Sequence, residues 1–302
     1  MRINSKLAKF AAVGLTLAYT GLAHAELNVF ACEPEYAALT KELAPGASVY
    51  AATTAMQDPH QVQARPSLIA KMRRADLVVC AGAELEVGWL PMLQMKSANA
   101  KVRSTEEGLF FAADQVDTLD KLAQVDRSMG DVHAQGNPHL HFDPQRLLKI
   151  AQALSAKMTA LDPDGAAGYQ AALADFSQRW QAAVPVWQAK AAGLTGKKVI
   201  AYHTNFRYLF NWLGMEQVAD LEPKPGLPPT SGHLASLLKR AGKGDVLAII
   251  VASYQDRRGA DWLGERAHLP VVMLPMSVGG NDQSQDLFGL YDSVLTLLNG
   301  VK

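Results

Sequence analysis

Cysteine is nearly absent from this chain: Cys32 and Cys80 are the only two in 302 residues. Two thiols cannot build a tetrathiolate metal site or the multi-bridge framework of a small secreted domain. An excess of positive charge is missing too. Lys and Arg number 29 against 29 Asp and Glu, and three of those basic residues, Arg2, Lys6 and Lys9, lie in the first 25 positions, which hold no acid. Without that segment 26 basic residues face 29 acidic ones, a balance near −3. Nucleic acid recognition needs a basic face for counterion release, and attachment to an anionic membrane needs a basic cluster; neither is available. Apart from Phe10 to Ala23, no stretch is long and apolar enough to be read as a membrane span.

That one apolar run reads as part of an export signal. A basic start precedes about 14 apolar residues, short of the roughly 20 needed to span, and Ala23-His24-Ala25 fits a small-x-small cleavage site. Residues 1–25 are therefore expected to be a cleaved signal peptide, with the mature protein in the periplasm. In an oxidising compartment two cysteines are expected to pair. Each ends an apolar run, Val29-Phe30-Ala31-Cys32 and Leu77-Val78-Val79-Cys80. If those runs are neighbouring parallel strands, a Cys32–Cys80 disulfide follows.

Short apolar runs alternating with helical stretches predict an α/β fold with parallel sheets. Strands are expected at Leu27 to Ala31, Ser48 to Ala52 and Asp76 to Ala81. Helices are expected at Tyr36 to Leu43, from Pro66, and at Leu85 to Met95. Gly108 to Asn137 is irregular and polar, and a helix then follows from Gln145 to Leu161. Next, Tyr169, Leu173, Phe176, Trp180, Val184, Trp187 and Ala191 recur at spacings of 4, 3, 4, 4, 3 and 4. This is one continuous face of a helix about 37 Å long, and Pro185 is expected to kink it without ending it. A second alternating pattern follows, with strands at Val199 to Tyr202, Val246 to Ala252 and Val271 to Leu274. Its helices are expected at Phe206 to Leu213, His233 to Arg240, Asp261 to Arg266 and Asp286 to Leu298. The reading is two α/β lobes, 26–161 and 194–302, each with a parallel sheet flanked by helices, joined by one long rigid helix within 162–193.

Seven histidines lie beyond the signal: His60, His133, His139, His141, His203, His233 and His268. Four of them, His60, His139, His141 and His203, sit in loops or at a strand end, and open α/β sheets place ligands outside the carboxyl ends of their strands. Imidazole nitrogens without thiolates suit Zn²⁺ better than the oxygen-preferring Mn²⁺ or Mg²⁺. Taken singly, each histidine reads as readily as a surface or hydrogen-bonded residue, and His-x-His alone is a weak signal.

Three ordered motifs add weight. They are Gln57-Asp58-Pro59-His60, followed by Arg65-Pro66-Ser67 and by Ala75 to Glu86; Asn137-Pro138-His139-Leu140-His141-Phe142-Asp143-Pro144; and His203-Thr204-Asn205-Phe206-Arg207-Tyr208-Leu209. On these motifs, over about Leu27 to Leu298, the sequence resembles the zinc- and manganese-binding solute-binding proteins of bacterial ABC importers (the metal-binding cluster A-I family). The resemblance implies metal held between the lobes by His60 and His139 from the first and His203 from the second. It also implies a single-chain protein that delivers Zn²⁺, or Mn²⁺ in the alternative, to an inner-membrane permease. His141 stands where the family usually has Trp, and is expected behind the ligands or as an alternative to one of them.

The family's usual fourth ligand, an Asp or Glu from the loop after the last strand, has no counterpart at the expected turn. Asp282 is the candidate, with Asp286 or a water as alternatives. His133 reads as a solvated loop residue, with help in capturing metal from solvent or a partner as the alternative; His233 and His268 read as surface residues, and the histidine-rich acidic loop of some relatives is missing. A His₃ site with an open position would also suit a zinc-dependent hydrolase. The chain has no His-Glu-x-x-His or Gly-x-Ser-x-Gly motif to supply the remaining machinery, and no enzymatic activity is expected.

Overall fold

The computed structural model describes residues 27–126 and 129–301; the expected signal peptide, 1–25, lies outside them. The first half contributes strands β1 (Asn28–Ala31), β2 (Ser48–Ala51), β3 (Leu77–Cys80) and β4 (Leu109–Phe111). They form a fully parallel sheet in the order β2-β1-β3-β4. The second half contributes β5 (Lys198–Ala201), β6 (Glu216–Asp220), β7 (Val246–Ala252) and β8 (Val271–Leu274), parallel in the order β6-β5-β7-β8. The central strands β3 and β7 read as unbroken apolar runs because parallel sheets are covered on both faces; every residue of β3 is buried.

Helices α1 (Pro34–Leu43), α2 (Pro66–Arg74) and α3 (Leu90–Ser97) flank the first sheet, and α6 (Arg207–Leu213), α7 (Ser231–Ala241) and α8 (Arg258–Ala267) the second. Proline stands in the first turn of α1, α2 and α3, where its missing N–H costs no helical bond. The longer α4 (Pro144–Leu161) is capped by Asp143, whose carboxylate accepts from the backbone N–H groups of Gln145 and Arg146 at 2.9 and 3.0 Å.

The long helix is α5, Ala166–Lys190, with Pro185 inside it. Its apolar stripe is buried at Tyr169, Phe176, Trp180, Val184 and Trp187. Trp180 packs on Phe176, Trp187, Phe288 and Tyr291, and its indole N–H donates to the Pro144 carbonyl at 3.0 Å. Phe288 and Tyr291 belong to the last helix, α9 (Leu287–Asn299), which packs on both α5 and α1. One apolar core thus runs from β1 and β3 through α4 and α5 to α9 and β7. The joining helix is a wall of that core, and the C-terminal helix reaches back to the first lobe.

Differences from the sequence reading fall at the sheet edges. β4 and β6 were not expected. β4 has three residues, and β6, Glu-Gln-Val-Ala-Asp, is half-exposed with no apolar run. Both are edge strands, whose pairing is set by the neighbour rather than by their own pattern. α3 begins at Leu90 rather than Leu85: the chain runs as turns after the left-handed Gly82, Ala83 and Glu84 (φ 77°, 47° and 68°), and Trp89, at φ −140°, interrupts a helix before Leu90. The parallel register Ala31 opposite Val79 puts the next residues, Cys32 and Cys80, side by side, and they form a disulfide with Cα atoms 4.8 Å apart.

Candidate metal centre

His60 lies in the loop leaving β2, His139 in the connection leaving β4, and His203 two residues beyond β5. Each is thus displayed from the carboxyl end of a parallel strand. Folding brings the three together: one ring nitrogen from each lies within 4.8 Å of the other two. The rings are nearly perpendicular in pairs, with interplanar angles of 74°, 89° and 84°. His139 and His203 are buried and His60 half-buried.

Neighbouring carboxylates fix two of the rings. His60 Nδ1 is 2.8 Å from Asp58 Oδ1, and His203 Nδ1 is 2.8 Å from Glu222 Oε2. A carboxylate accepts the Nδ1–H and leaves Nε2 as a lone pair, the orientation found in carboxylate–histidine–metal arrangements. His60 donates to Asp58 through its backbone N–H as well, at 3.0 Å; Glu222 also accepts from the Gly226 N–H at 3.1 Å. His139 is held at its backbone by the Asn137 side chain, and Asn205 Nδ2 lies 3.4 Å from its Nε2. Burial, and then the neighbouring His60 and His203, keep His139 neutral far below the usual histidine range. Asp58, Glu222 and Asp131 line a cavity of about 260 Å³ that opens onto His60 and His203, so the approach is negative, as suits a cation.

The other sequence candidates go elsewhere. Asp282 is exposed on the turn between β8 and α9 and does not join the histidines. Asp286 is the N-cap of α9, its carboxylate accepting from the Gly289 N–H at 2.7 Å. The turn after β8 faces a different partner: Ser277 hydrogen-bonds Glu35, and the Met276 carbonyl accepts from His141 Nε2 at 2.9 Å. His141 is fully buried, with Nδ1 3.1 Å from Glu35 but lacking hydrogen-bond alignment, and its carbonyl accepts from Tyr291. It joins the two halves behind the cleft and contributes no nitrogen to the cluster. His233 Nε2 bonds the Asp220 carbonyl, and His268 caps α8 on the surface.

His133 is the residue that sequence reasoning misplaced. It is half-buried, its Nε2 lies 3.2 Å from His60 Nε2, and the two rings stack with centroids 5.3 Å apart. Burial, with the adjacent His60 and His203, pushes its imidazole down to about 4. Its polar surroundings in sequence favour the solvated reading over a place beside His60.

At the carboxyl ends of β1 and β3, Glu33 and Glu86 share a buried site, each about 2% exposed and both meeting the Ala81 N–H. Burial raises both carboxyls, that of Glu86 to about 7, while the backbone N–H groups of Ala81 and Gly82 donate to Glu86. No described helix is long and apolar enough to cross a membrane.

Two parallel α/β lobes, a long joining helix and a histidine-lined cleft at the strand ends define a two-lobed solute-binding protein. Residues 29–299 match the profile of zinc-uptake complex component A, the periplasmic ZnuA family, and the chain belongs to that family. It is a family of solute-binding components of ABC importers, not of enzymes. Among curated relatives, the high-affinity zinc uptake protein ZnuA of Bacillus subtilis is 23% identical over 76% of this chain and 71% of its own length. The zinc-binding lipoprotein AdcA of Streptococcus pneumoniae is 23% identical over 72% of this chain, which spans only 43% of that longer protein. The manganese transporter lipoprotein PsaA of the same species is 20% identical over 82% of this chain and 78% of its own length. A crystal structure of a ZnuA superposes with a TM-score of 0.77 over 92% of this chain and all of that one, at 17% identity.

Proposed function

We propose that this protein binds Zn²⁺ in the periplasm through His60, His139 and His203 and delivers it to the permease of an ABC importer. The observation that carries the choice of metal is what the nearby oxygens do. Asp58 and Glu222, the carboxylates beside the cluster, are engaged by the Nδ1 nitrogens of His60 and His203. The donors left at the centre are imidazole nitrogens, which suit Zn²⁺; Mn²⁺ favours carboxylate, carbonyl and water. Tetrahedral Zn²⁺ with bonds of about 2.0–2.1 Å holds its nitrogens about 3.3 Å apart, so nitrogens that lie within 4.8 Å of one another close by up to about 1.5 Å on loading. The burial that keeps His139 neutral lets it serve as a ligand without first losing a proton.

The test is a titration of metal-free protein with Zn²⁺ and with Mn²⁺ in the presence of a competing chelator. One tight equivalent of Zn²⁺ is expected, with Mn²⁺ weaker at equal free concentration. The equivalent should be lost on His60→Ala, His139→Ala or His203→Ala and kept on Asp282→Asn. Manganese binding the tighter, or full Zn²⁺ affinity in the histidine variants, refutes the reading.

A further inference from the structure

We propose that His133 is the fourth metal ligand, completing an all-imidazole tetrahedral centre in place of a carboxylate from the loop after β8. This rests on the three-histidine reading above and deepens it. The geometry comes first. His133 Nε2 and His60 Nε2 are 3.2 Å apart, close to the edge of about 3.3 Å that a tetrahedron with metal–nitrogen bonds near 2.0 Å requires.

Tautomer chemistry comes second. His60 directs its ring N–H at Asp58 Oδ1, which leaves its Nε2 as a lone pair. That lone pair faces His133 Nε2 at 3.2 Å, with no carboxylate or carbonyl between the two rings. A shared cation satisfies that arrangement.

The surroundings hold His133 there. Ala134 N–H donates to Glu84 Oε2 at 2.7 Å, and Asp131 N–H donates to the Pro225 carbonyl at 3.0 Å. His133 is thereby pinned to the first half on one side and the second on the other. The residues beside it, Ala83 and Glu84, are both left-handed without being glycine, a strained backbone that persists where surrounding structure demands it. On the other side of the contact, Gly226 has φ 81° and a Cβ there would meet Asp131 Oδ2 at 2.2 Å. Meanwhile the turn after β8 is committed to Glu35 and His141, and Asp282 is exposed. A nitrogen donor from a separate segment fills the place that turn leaves.

The experiment is zinc K-edge X-ray absorption on full-length protein carrying one equivalent of Zn²⁺, wild type against His133→Ala, with chelator competition on both and thermal melts of the metal-free forms as a folding control. Outer-shell scattering from four imidazoles is expected in the wild type and from three plus an oxygen in the variant. Zinc affinity is expected to fall at least tenfold, the lower end of what losing even an outer partner costs. His133→Asp should restore a fourth ligand as oxygen, recovering part of the zinc affinity and shifting preference toward Mn²⁺. Three imidazoles and unchanged affinity in both wild type and His133→Ala overturn this proposal and leave the three-histidine centre standing. A wild type without imidazole scattering overturns both.

Discussion

Glu222 offers the sharpest check on how the cleft is built. Its carboxylate is 2.8 Å from His203 Nδ1, and the two side chains are only 11% and 9% exposed. Glu222→Gln keeps the shape and removes the charge. Two things are lost: the negative charge paired with the His203 Nδ1–H, and the certainty that the partner atom is an acceptor, since an amide can turn its NH₂ toward the ring. Losing such a partner costs about 10- to 100-fold in metal affinity, or about 1.4–2.7 kcal/mol. The companion carboxylate, Asp58, makes a bond of the same length to His60 but is 39% exposed. Water can replace part of what it gives, so Asp58→Asn should cost less than Glu222→Gln. Chelator competition at pH 7.5 on both variants measures the order. An unchanged affinity in Glu222→Gln, or the larger loss in Asp58→Asn, would refute the argument that buried carboxylates orient the ligands.

Two stability predictions test the frame around the site. Because the folded state holds the Glu86 proton up to about 7 while the unfolded chain releases it near the ordinary value, wild-type stability should fall as pH rises from about 4.5 through 7. Glu86→Gln, neutral throughout, should gain on wild type by on the order of 3 kcal/mol at pH 8 and nothing at pH 4; urea unfolding at both values reads this, and a gain independent of pH would contradict it. Trp180→Ala removes a fully buried indole, four aromatic neighbours and the bond to Pro144, and should cost about 3–5 kcal/mol by the same method. A loss under 1 kcal/mol, an outer bound well below the usual cost of such truncations, would mean that α5 does not wall a shared core.

Local pattern in the sequence determined most of the architecture. The run Val246 to Ala252 is a strand with those same ends, and the stripe from Tyr169 to Trp187 is the buried face of α5, because period and burial are properties of a dozen consecutive residues. The apolar runs ending in Cys32 and Cys80 also carried enough to pair the cysteines once the strands were taken as neighbours. Convergence across the chain was decided by tertiary structure alone. His133 and Asp282 look alike in sequence, each a polar residue in a polar loop, yet one lies 3.2 Å from His60 and the other is exposed on a turn. What separates them is long-range: Glu84 and Pro225 hold the 131–134 segment into the cleft, while Glu35 and His141 draw the turn after β8 away from it. No spacing encodes such partners, because a loop's course is set by the surface it crosses rather than by its own hydrogen-bonding pattern.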